Sequence, residues 1–334
     1  MSEFPYPMPP GGPSPADELV RGAIDLHHHG YPEIAFDHRT RHEDWDELAI
    51  ARAAGMAGIV LKSHMWPTVG RAYHLRRLVP GIDVHASITL NPIAGGFSPL
   101  AVEAAARQGA RVMFFPTWGA AHDRERGGMS RHLGHILPRA AGLTREAGLR
   151  ATDESGRVRP EVCECLAVAA EHKMLVCTAH ISPKESIAVA QKAKDYGIES
   201  VVFSHPDSNS VAASREEIRD MVALDAVCEF CTLGMLPQFQ RISPRLAMEI
   251  VSEISADRAI ITTDYFFEWS PPASETLRML AGTFLDLGMP FSDVRKMMKD
   301  NPARLLGIDH LPCPHQGAHS TITLTSSAEP PARR

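Results

Sequence analysis

The sequence lacks the features that mark membrane proteins and nucleotide-binding proteins. No apolar run approaches the roughly 20 residues that a membrane span needs, and the N-terminal segment has no basic-then-apolar signal. No G-x-G-x-x-G follows the first predicted strand and no Walker loop occurs. The formal net charge is only -6, which gives no bulk attraction to nucleic acid or to an anionic membrane. We therefore predict a cytoplasmic protein that binds neither.

The sequence also offers little evidence for a cysteine-based metal site or for disulfide bonds. The chain has six cysteines, and only Cys228 and Cys231 form a CxxC, with no second pair to complete a zinc site. On a strand these two residues face opposite sides. Most of the cysteines lie inside apolar segments, so we predict reduced core thiols rather than disulfides.

What the sequence does contain is a repeated alternation of strand-like and helix-like segments. Hydrophobic residues make up 44% of the 334 residues, which suits one large domain with a substantial core. Eight such units favour a (β/α)8 TIM barrel over an open sheet. We predict an extended arm over residues 1–19, the barrel over 20–308 and a disordered tail over 309–334. The predicted strands span residues 23–27, 57–62, 83–89, 110–115, 174–179, 200–204, 226–231 and 259–263.

Possible metal ligands recur where these strands end. His27 and His29 lie on the same side of the first strand, because side chains alternate along a strand. Barrel active sites are built at the carboxyl ends of the strands, and imidazole and carboxylate groups bind divalent ions. The sequence therefore predicts one site for one or two ions, with the ligands His27, His29, His64, His180, His205 and Asp264.

Other polar residues near these strand ends have less certain roles. Lys62 precedes His64 on strand two, and we consider a ligand, an oxyanion donor and a structural partner of an acid equally plausible. Glu229 on strand seven is a weak candidate, since its direction depends on the strand register. We expect five further histidines to be surface or packing residues: His85, His122, His132, His135 and His172.

The arrangement of these residues resembles the amidohydrolase superfamily of metal-dependent barrels. The matching features are His-x-His on strand one, histidines on strands five and six, Asp264 on strand eight, and the following segment 301–307. The resemblance implies that His27, His29 and Asp264 bind one ion, with His180 and His205 on a second ion or on the reacting water. Strand four departs from the pattern, because residues 112–118 include no bridging Lys or Glu.

The predicted loops at the barrel mouth are unusually apolar, which indicates a bulky hydrophobic substrate. We predict substrate contacts from Trp66, Phe115, Trp118, Met235, Phe239 and Phe266, with Leu236, Tyr265, Phe267 and Trp269 nearby. The long segment 119–160 is expected to hold a short helix and a turn, and to be able to cover the mouth. Its arginines, Arg124, Arg126 and Arg131, either meet an anionic group such as a phosphate or CoA arm or form a solvated basic face.

A narrower resemblance follows from Lys62-Ser63-His64, the missing bridge on strand four and the apolar mouth. These features are similar to a non-heme diiron monooxygenase branch of these barrels, typified by the hydroxylase of platensimycin and platencin diterpenoid biosynthesis. The resemblance implies two iron ions, dioxygen as co-substrate, an electron donor and a terpenoid-like substrate, which is sometimes CoA-linked. Zinc and manganese remain alternatives to iron.

Three functions are therefore compared with the structure below. The first is dioxygen-dependent hydroxylation of an unactivated C–H bond in secondary metabolism. The second is an amidohydrolase-type hydrolase or decarboxylase, in which a metal-bound hydroxide attacks and Asp264 shuttles the proton. The third is a silent barrel that binds a hydrophobic ligand. The predicted catalytic residues are Asp264 and Lys62, and the oligomeric state, including a homo-oligomer, is left open.

Overall fold

The computed structural model describes residues 11–239 and 241–308. Its eight parallel strands form one sheet in sequence order, and at least one helix follows each strand. The fold is the (β/α)8 barrel that the sequence predicts. The strands are β1 (Ile24–His29), β2 (Gly58–Lys62), β3 (Asp83–Thr89), β4 (Ala110–Phe114), β5 (Leu175–Cys177), β6 (Val201–Phe203), β7 (Val227–Cys231) and β8 (Ala259–Thr262).

The helices form the outer layer of the barrel. Several begin with a proline at their first position, where the missing N–H has no intrahelical partner to lose. They are α1 (Pro15–Val20), α2 (Asp44–Ala53), α3 (Val69–Leu78), α4 (Pro99–Arg107), α5 (Ala121–Arg126), α6 (Met129–Ile136), α7 (Pro160–Glu171), α8 (Pro183–Asp195), α9 (Arg215–Ala223), α10 (Thr232–Met235), α11 (Pro244–Ile254), α12 (Ala273–Asp286), α13 (Phe291–Arg295) and α14 (Asn301–Leu306).

The barrel closes between β8 and β1. His28 and Tyr265 form a parallel bridge, and the Asp264 N–H donates to the His27 carbonyl at 2.9 Å. The pairing of β1 with β2 shifts register between Asp25 and His28. This irregularity leaves His27 and His29 inside the barrel mouth, while His28 stacks on the Tyr265 ring outside it, 4.8 Å between centroids.

Two segments differ from the sequence prediction. Residues 15–20, expected in an extended arm, form the helix α1, which Ser14 and Asp17 cap reciprocally. Leu19 of this helix is fully buried, so the segment packs on the barrel. The segment between β4 and α7 holds two helices, α5 and α6, rather than one. The expected tail over residues 309–334 lies outside the described residues.

The strands are buried on both faces, as expected where an outer layer of helices covers a parallel sheet. Every residue of β1, β2, β7 and β8 is buried. Within residues 11–239 and 241–308, no helix is both long and apolar enough to cross a bilayer. The polar side chains at the barrel mouth are therefore attached to the ends of buried strands.

Candidate metal centre

The predicted ligands meet at the mouth of the barrel. The rings of His27 and His205 lie 5.6 Å apart, those of His180 and His205 5.0 Å apart, and those of His29 and His64 4.3 Å apart, between centroids. All five histidines are buried. Strands β1, β2, β5, β6 and β8 thus deliver their histidine and aspartate side chains to one place.

Three of these side chains already have the spacing of metal ligands. The Nε2 atoms of His27 and His29 lie 3.3 Å apart. Asp264 Oδ1 lies 3.2 Å from the first nitrogen and 3.5 Å from the second. Ligands on a tetrahedral ion with bonds of 2.0–2.2 Å are about 3.4 Å apart. The triangle therefore fits a single divalent ion without rearrangement of the strands.

The second nitrogen of most of these imidazoles is held by a side-chain oxygen. The Nδ1 atom is 3.0 Å from Glu229 Oε1 in His27, 3.0 Å from Thr117 Oγ1 in His64, 2.7 Å from Asp123 Oδ2 in His180 and 3.0 Å from Ser208 Oγ in His205. His29 Nδ1 faces Glu33 Oε1 at a longer distance, 3.6 Å. Such partners fix the ring orientation and leave Nε2 free for an ion.

Further candidate ligand groups surround the triangle. His205 groups with His27 and Asp264, and Glu33 groups with His29 and His64. Glu229 and Cys231 group with His27 from the other side. In the described part of the chain, the mouth therefore offers enough nitrogen and oxygen donors for two ions.

Strand β4 supplies an aromatic ring where a bridging ligand is absent. The Phe114 ring lies 5.8 Å from the His27 ring, and Lys62 Nζ lies 4.7 Å above its centroid. Lys62 is fully buried, and its Nζ is 2.9 Å from His27 Nε2. An ion that uses this nitrogen must displace the contact with Lys62.

Burial sets the protonation of these groups. It is the main cause that lowers the pKa of His27, His29, His64 and His205 well below the ordinary value, and nearby cationic groups add to it. Neutral imidazole is the form that binds metal ions. Burial also raises the pKa of Asp264 to about 7, although Lys62 opposes the shift. The site thus carries neutral imidazoles beside a carboxyl group whose pKa stays raised despite the nearby Lys62.

Three residues at the strand ends have a left-handed backbone without being glycine. Their φ angles are 49° for Ala179, 27° for His205 and 52° for Asp264. Conformations of this kind cost on the order of 1–3 kcal/mol each and cluster at functional sites. Asp25 holds the β8 end by accepting from the Thr263 N–H at 3.1 Å and from its hydroxyl. The barrel therefore holds the ligand-bearing ends in place against strain.

A cavity of about 310 Å³ opens onto these groups. His27, Lys62, His64, His180, His205 and Asp264 form its floor. Phe239, Phe266 and Phe267 line one wall, and Asp207 and Arg241 also face the cavity. The volume is at the low end for small-molecule sites, which favours a substrate smaller than the bulky one expected from the sequence.

Only two of the six predicted substrate contacts, Phe239 and Phe266, line this cavity. Phe115 is buried in the barrel core beside Phe97, and Met235 is part of the same core. Trp118 packs with Met65 and donates its indole N–H to the His64 carbonyl at 2.9 Å. Trp66 is 58% exposed and lies outside the cavity. The sequence showed which loops are apolar but not which way their side chains turn.

The basic and histidine residues of the long segment also differ from expectation. Arg124 is buried and donates to the carbonyls of Trp118 and Ala147, so it stabilises the segment instead of facing an anionic ligand. Arg126 donates to the Asn209 carbonyl. His132, expected to be a packing residue, lines the cavity 5.7 Å from the Phe266 ring.

Sequence reasoning missed the residues that orient the histidines. Thr117, Ser208 and Glu33 lie in loops and Asp123 lies in the short helix α5, and no periodic spacing connects them to the imidazoles that they face. The one available signal was the unusual length of the segment that carries Asp123. Glu229, a weak candidate in the sequence, proves to face His27.

The fold and the site define a (β/α)8 barrel with a histidine-rich candidate metal centre at its mouth. The chain belongs to a family of unknown function, DUF6282, whose sequence model matches residues 22–229. That match includes all five histidines and Glu229 but not Asp264. No curated protein shows significant similarity to the sequence.

Solved structures share the fold at low sequence identity. The probable dipeptidase PvdM from Pseudomonas aeruginosa is 12% identical with a TM-score of 0.58, over 87% of this chain and 96% of that one. The phosphotriesterase homology protein from Escherichia coli is 14% identical with a TM-score of 0.54, over 86% and 99%. A 2,6-dihydroxybenzoate decarboxylase is 10% identical with a TM-score of 0.53, over 86% and 99%. These likenesses confirm the barrel and give no support to the narrower diiron resemblance.

Proposed function

We propose that the protein is a metal-dependent enzyme of the amidohydrolase type that hydrolyses a small carbonyl-containing substrate. The observation that carries this proposal is the orientation of the imidazoles. Four of the five have Nδ1 held by a side-chain oxygen, and the Nε2 atoms of His27 and His29 form a ligand-spaced triangle with Asp264. Packing alone does not require so many imidazole nitrogen atoms to converge on one place.

The local charge supports a bound cation. Asp264, Glu229 and Glu33 each have a carboxylate oxygen within 3.6 Å of His27 or His29. Among the described residues, Lys62 is the one cationic side chain within hydrogen-bonding distance of these imidazoles. Buried carboxylates are costly unless they are paired or coordinate an ion. The set of donors suits zinc, manganese or iron, since imidazole and carboxylate bind all three.

A divalent ion at this site would supply a Lewis acid and lower the pKa of a water molecule. Asp264 then accepts a proton from the attacking water and returns it to the leaving group, as its position at the cavity floor allows. Lys62, also on this floor, donates a hydrogen bond to the substrate oxygen that gains negative charge. His180, oriented by Asp123, would hold the reacting group or a second ion.

The names of the structural neighbours are compatible with this class of reaction, but they do not indicate which bond of the substrate is broken. Their names cover a probable dipeptidase, a phosphotriesterase homologue and a decarboxylase. At identities of 10–14% they share the fold, and function on a common fold is decided by the site. Decarboxylation is therefore the closest variant of our proposal.

Dioxygen-dependent hydroxylation by two irons is a second candidate. The observation in its favour is the apolar surround, namely Phe114 beside His27 and the wall of Phe239, Phe266 and Phe267. A dry pocket suits the protection of a reactive oxidant. The cavity of about 310 Å³ and the hydrolase and decarboxylase neighbours make this candidate the weaker one. An electron donor belongs to this candidate only.

The decisive experiment compares metal content in the purified wild type, His29→Ala and Asp264→Ala. We expect about one or two equivalents of a divalent ion in the wild type and strongly reduced content in both variants, with loss of the thermal stabilisation that added zinc gives the wild type. His74→Ala is the matched control, because His74 is exposed on α3. Full metal content in both site variants would contradict the proposed centre.

The two candidate reactions separate by their need for dioxygen. Esters, amides and lactones are offered to the metal-loaded protein in air and under argon. Equal turnover in both atmospheres supports hydrolysis and eliminates the oxygenase. Turnover that requires dioxygen and reductant, with iron as the bound metal, would reverse the ranking.

A further inference from the structure

A carboxyl group with one unpaired oxygen atom lines the cavity. Asp207 follows β6, two residues after His205, and faces the cavity. Its Oδ1 atom is out of reach of solvent and has no hydrogen-bond partner in the described part of the chain. Leaving a buried carboxyl oxygen without a partner is costly. This group therefore indicates a ligand atom that donates to it.

The space beside this carboxyl group is kept open by a glycine. A Cβ atom at Gly234 would lie 2.8 Å from Asp207 Oδ2, which is closer than carbon and oxygen atoms tolerate. Gly234 also lines the cavity. The absence of a side chain there preserves access to Asp207 on the side where β7 continues into α10.

An arginine lines the same cavity. The backbone N–H of Arg241 donates to the Gly234 carbonyl at 3.0 Å, which fixes the chain there, and the residue is part of the cavity lining. Arg241 forms no ion pair with any residue that the structure describes, and so not with Asp207 either. A carboxyl group and a guanidinium group thus face one cavity without neutralising each other.

Part of the cavity surface is aromatic. The rings of Phe239 and Phe267 stack at 5.4 Å with 19° between their planes, and the ring of Phe266 meets Phe267 edge-on at 5.1 Å. All three line the cavity. This wall accepts a flat or bulky apolar group.

We propose that Asp207 and Arg241 form a charge-recognition subsite for a small substrate that carries an ammonium group and a carboxylate on the two sides of the hydrolysed bond, together with an apolar side chain. Asp207 binds the ammonium group, Arg241 binds the carboxylate, and the aromatic wall takes the side chain. The proposal deepens the proposed hydrolytic function, on which it rests, by naming its substrate class. A purely hydrophobic substrate would form no ion pair with Asp207 or Arg241, whereas a zwitterion would form one with each.

The competing explanation is that Asp207 is a metal ligand. However, Asp207 belongs to none of the three groups of potential ligands at the mouth. The members of these groups are His27, His29, His64, His205, Glu33, Glu229, Cys231 and Asp264. Metal content in an Asp207 variant separates the two roles. A recognition residue can be changed without loss of the ion.

The test is calorimetric binding of four probes to the metal-loaded protein: L-phenylalanine, 2-phenylethylamine, 3-phenylpropanoate and 3-phenylpropan-1-ol. We expect the wild type to bind 2-phenylethylamine about tenfold more tightly than the alcohol, and L-phenylalanine more tightly still, because charged hydrogen bonds are about twice as strong as neutral ones. Asp207→Asn should abolish the preference for the amine over the alcohol, while its affinity for the alcohol and its metal content stay unchanged. Arg241→Gln should lower the affinity for L-phenylalanine to that for the amine.

Two further variants sharpen the result. Gly234→Ala should weaken amine binding as Asp207→Asn does, because its methyl group would crowd Asp207. Asp195→Asn, an exposed carboxylate on α8, should leave all four affinities unchanged. No discrimination among the probes by the wild type, an unchanged amine preference in Asp207→Asn, or loss of metal in that variant would each overturn the proposal. Repeating the titrations on metal-free protein separates these outcomes from failure of the metal-dependent function itself.

Discussion

The two ends of the barrel differ in how many of their buried polar atoms have hydrogen-bond partners. At the mouth, buried atoms of His29, Glu33, Asp207 and Glu229 have no hydrogen-bond partner among the described residues. At the opposite end, Asn301 donates from its amide to the carbonyls of Ala256 and Ala259 at 2.7 and 2.8 Å, and His85 Nε2 is the exception there, without a partner among the described residues. Native proteins rarely leave buried polar groups unpaired. The mouth is therefore shaped for ligands, and the other end is shaped for stability.

Other contacts at the lower end follow the same rule. Arg111, near the start of β4, donates to the Leu306 carbonyl of α14 at 2.8 Å. Lys299 donates to the Glu18 carbonyl of α1 at 2.7 Å. These bonds join the C-terminal helices to the barrel and to the N-terminal helix. Variants at the two ends should accordingly separate metal binding from stability.

The largest expected effect comes from Asp123→Asn at the mouth. Asp123 accepts from His180 Nδ1 at 2.7 Å, from the Met129 N–H at 2.9 Å and from the Ser130 N–H at 2.7 Å. Each carboxylate oxygen of Asp123 accepts from a backbone N–H. An asparagine would place its NH2 group at one of these two positions, where two donors would face each other and the hydrogen bond would be lost. We expect metal affinity to fall about 10- to 100-fold, the usual cost of losing such an orienting group. Competition with a chelator measures the change.

Glu185→Gln is the matched control for this variant. Glu185 is a buried carboxylate that accepts from the Ala151 N–H at 2.7 Å and from the Ser182 N–H at 3.0 Å. It follows His180 in sequence, but no hydrogen bond connects it to that imidazole in the structure described. This variant should lose stability and keep its metal affinity. Equal affinities in Asp123→Asn and the wild type would place His180 outside the coordination of the ion.

The next effect concerns the lower end, where Asn301→Ala should destabilise the protein without touching the metal. The substitution leaves the carbonyls of Ala256 and Ala259 without their buried donor, at a cost of about 1–3 kcal/mol. Urea unfolding measures the free energy, and chelator competition should give wild-type metal affinity. A large loss of affinity in this variant would show that the two ends are coupled and would break the comparison.

The sequence predicted the scaffold and the inward-facing histidines because both follow from periodic patterns. Strand alternation places His27 and His29 on one side, and the parallel topology brings His180, His205 and Asp264 to one end. The burial of Phe115 and Met235 was not predictable in this way, because Phe115 lies just after β4 and Met235 lies in the short helix α10 after β7. The sequence at such turns does not specify on which side of the loop a ring will pack.

The orienting groups were missed for a related reason. Asp123 reaches His180 across 57 positions of sequence, and its place depends on how α5 and α6 fold over the mouth. The helix α1 was missed because proline and glycine dominate its surroundings, although Ser14 and Asp17 form a recognisable capping pair. Long-range side-chain contacts thus limit prediction more than secondary structure does.

The smallest expected effect uses the titration of His85 at the lower end of β3. Burial lowers the pKa of His85 to about 4, and Arg111 and Arg76 add to the shift while Asp83 opposes it. Its Nε2 atom has no partner in the described chain. The ordinary histidine pKa is about 6.5, so the imidazole is neutral in both states above that value and contributes no pH dependence there. Between pH 6.5 and 4 the unfolded chain binds a proton that the folded protein does not, and stability falls as the pH falls.

We therefore expect His85→Gln to lose less stability than the wild type when the pH drops from 7 to 5. The difference should be about 1–2 kcal/mol, since one pKa unit corresponds to about 1.4 kcal/mol. Urea unfolding at both pH values measures it, with metal-loaded protein so that the histidines at the mouth are held by the ion in both proteins. An equal loss in the two proteins would mean that His85 is protonated in the folded state. The lower end would then contain a buried charge, and the contrast between an end built for ligands and an end built for stability would fail at this residue.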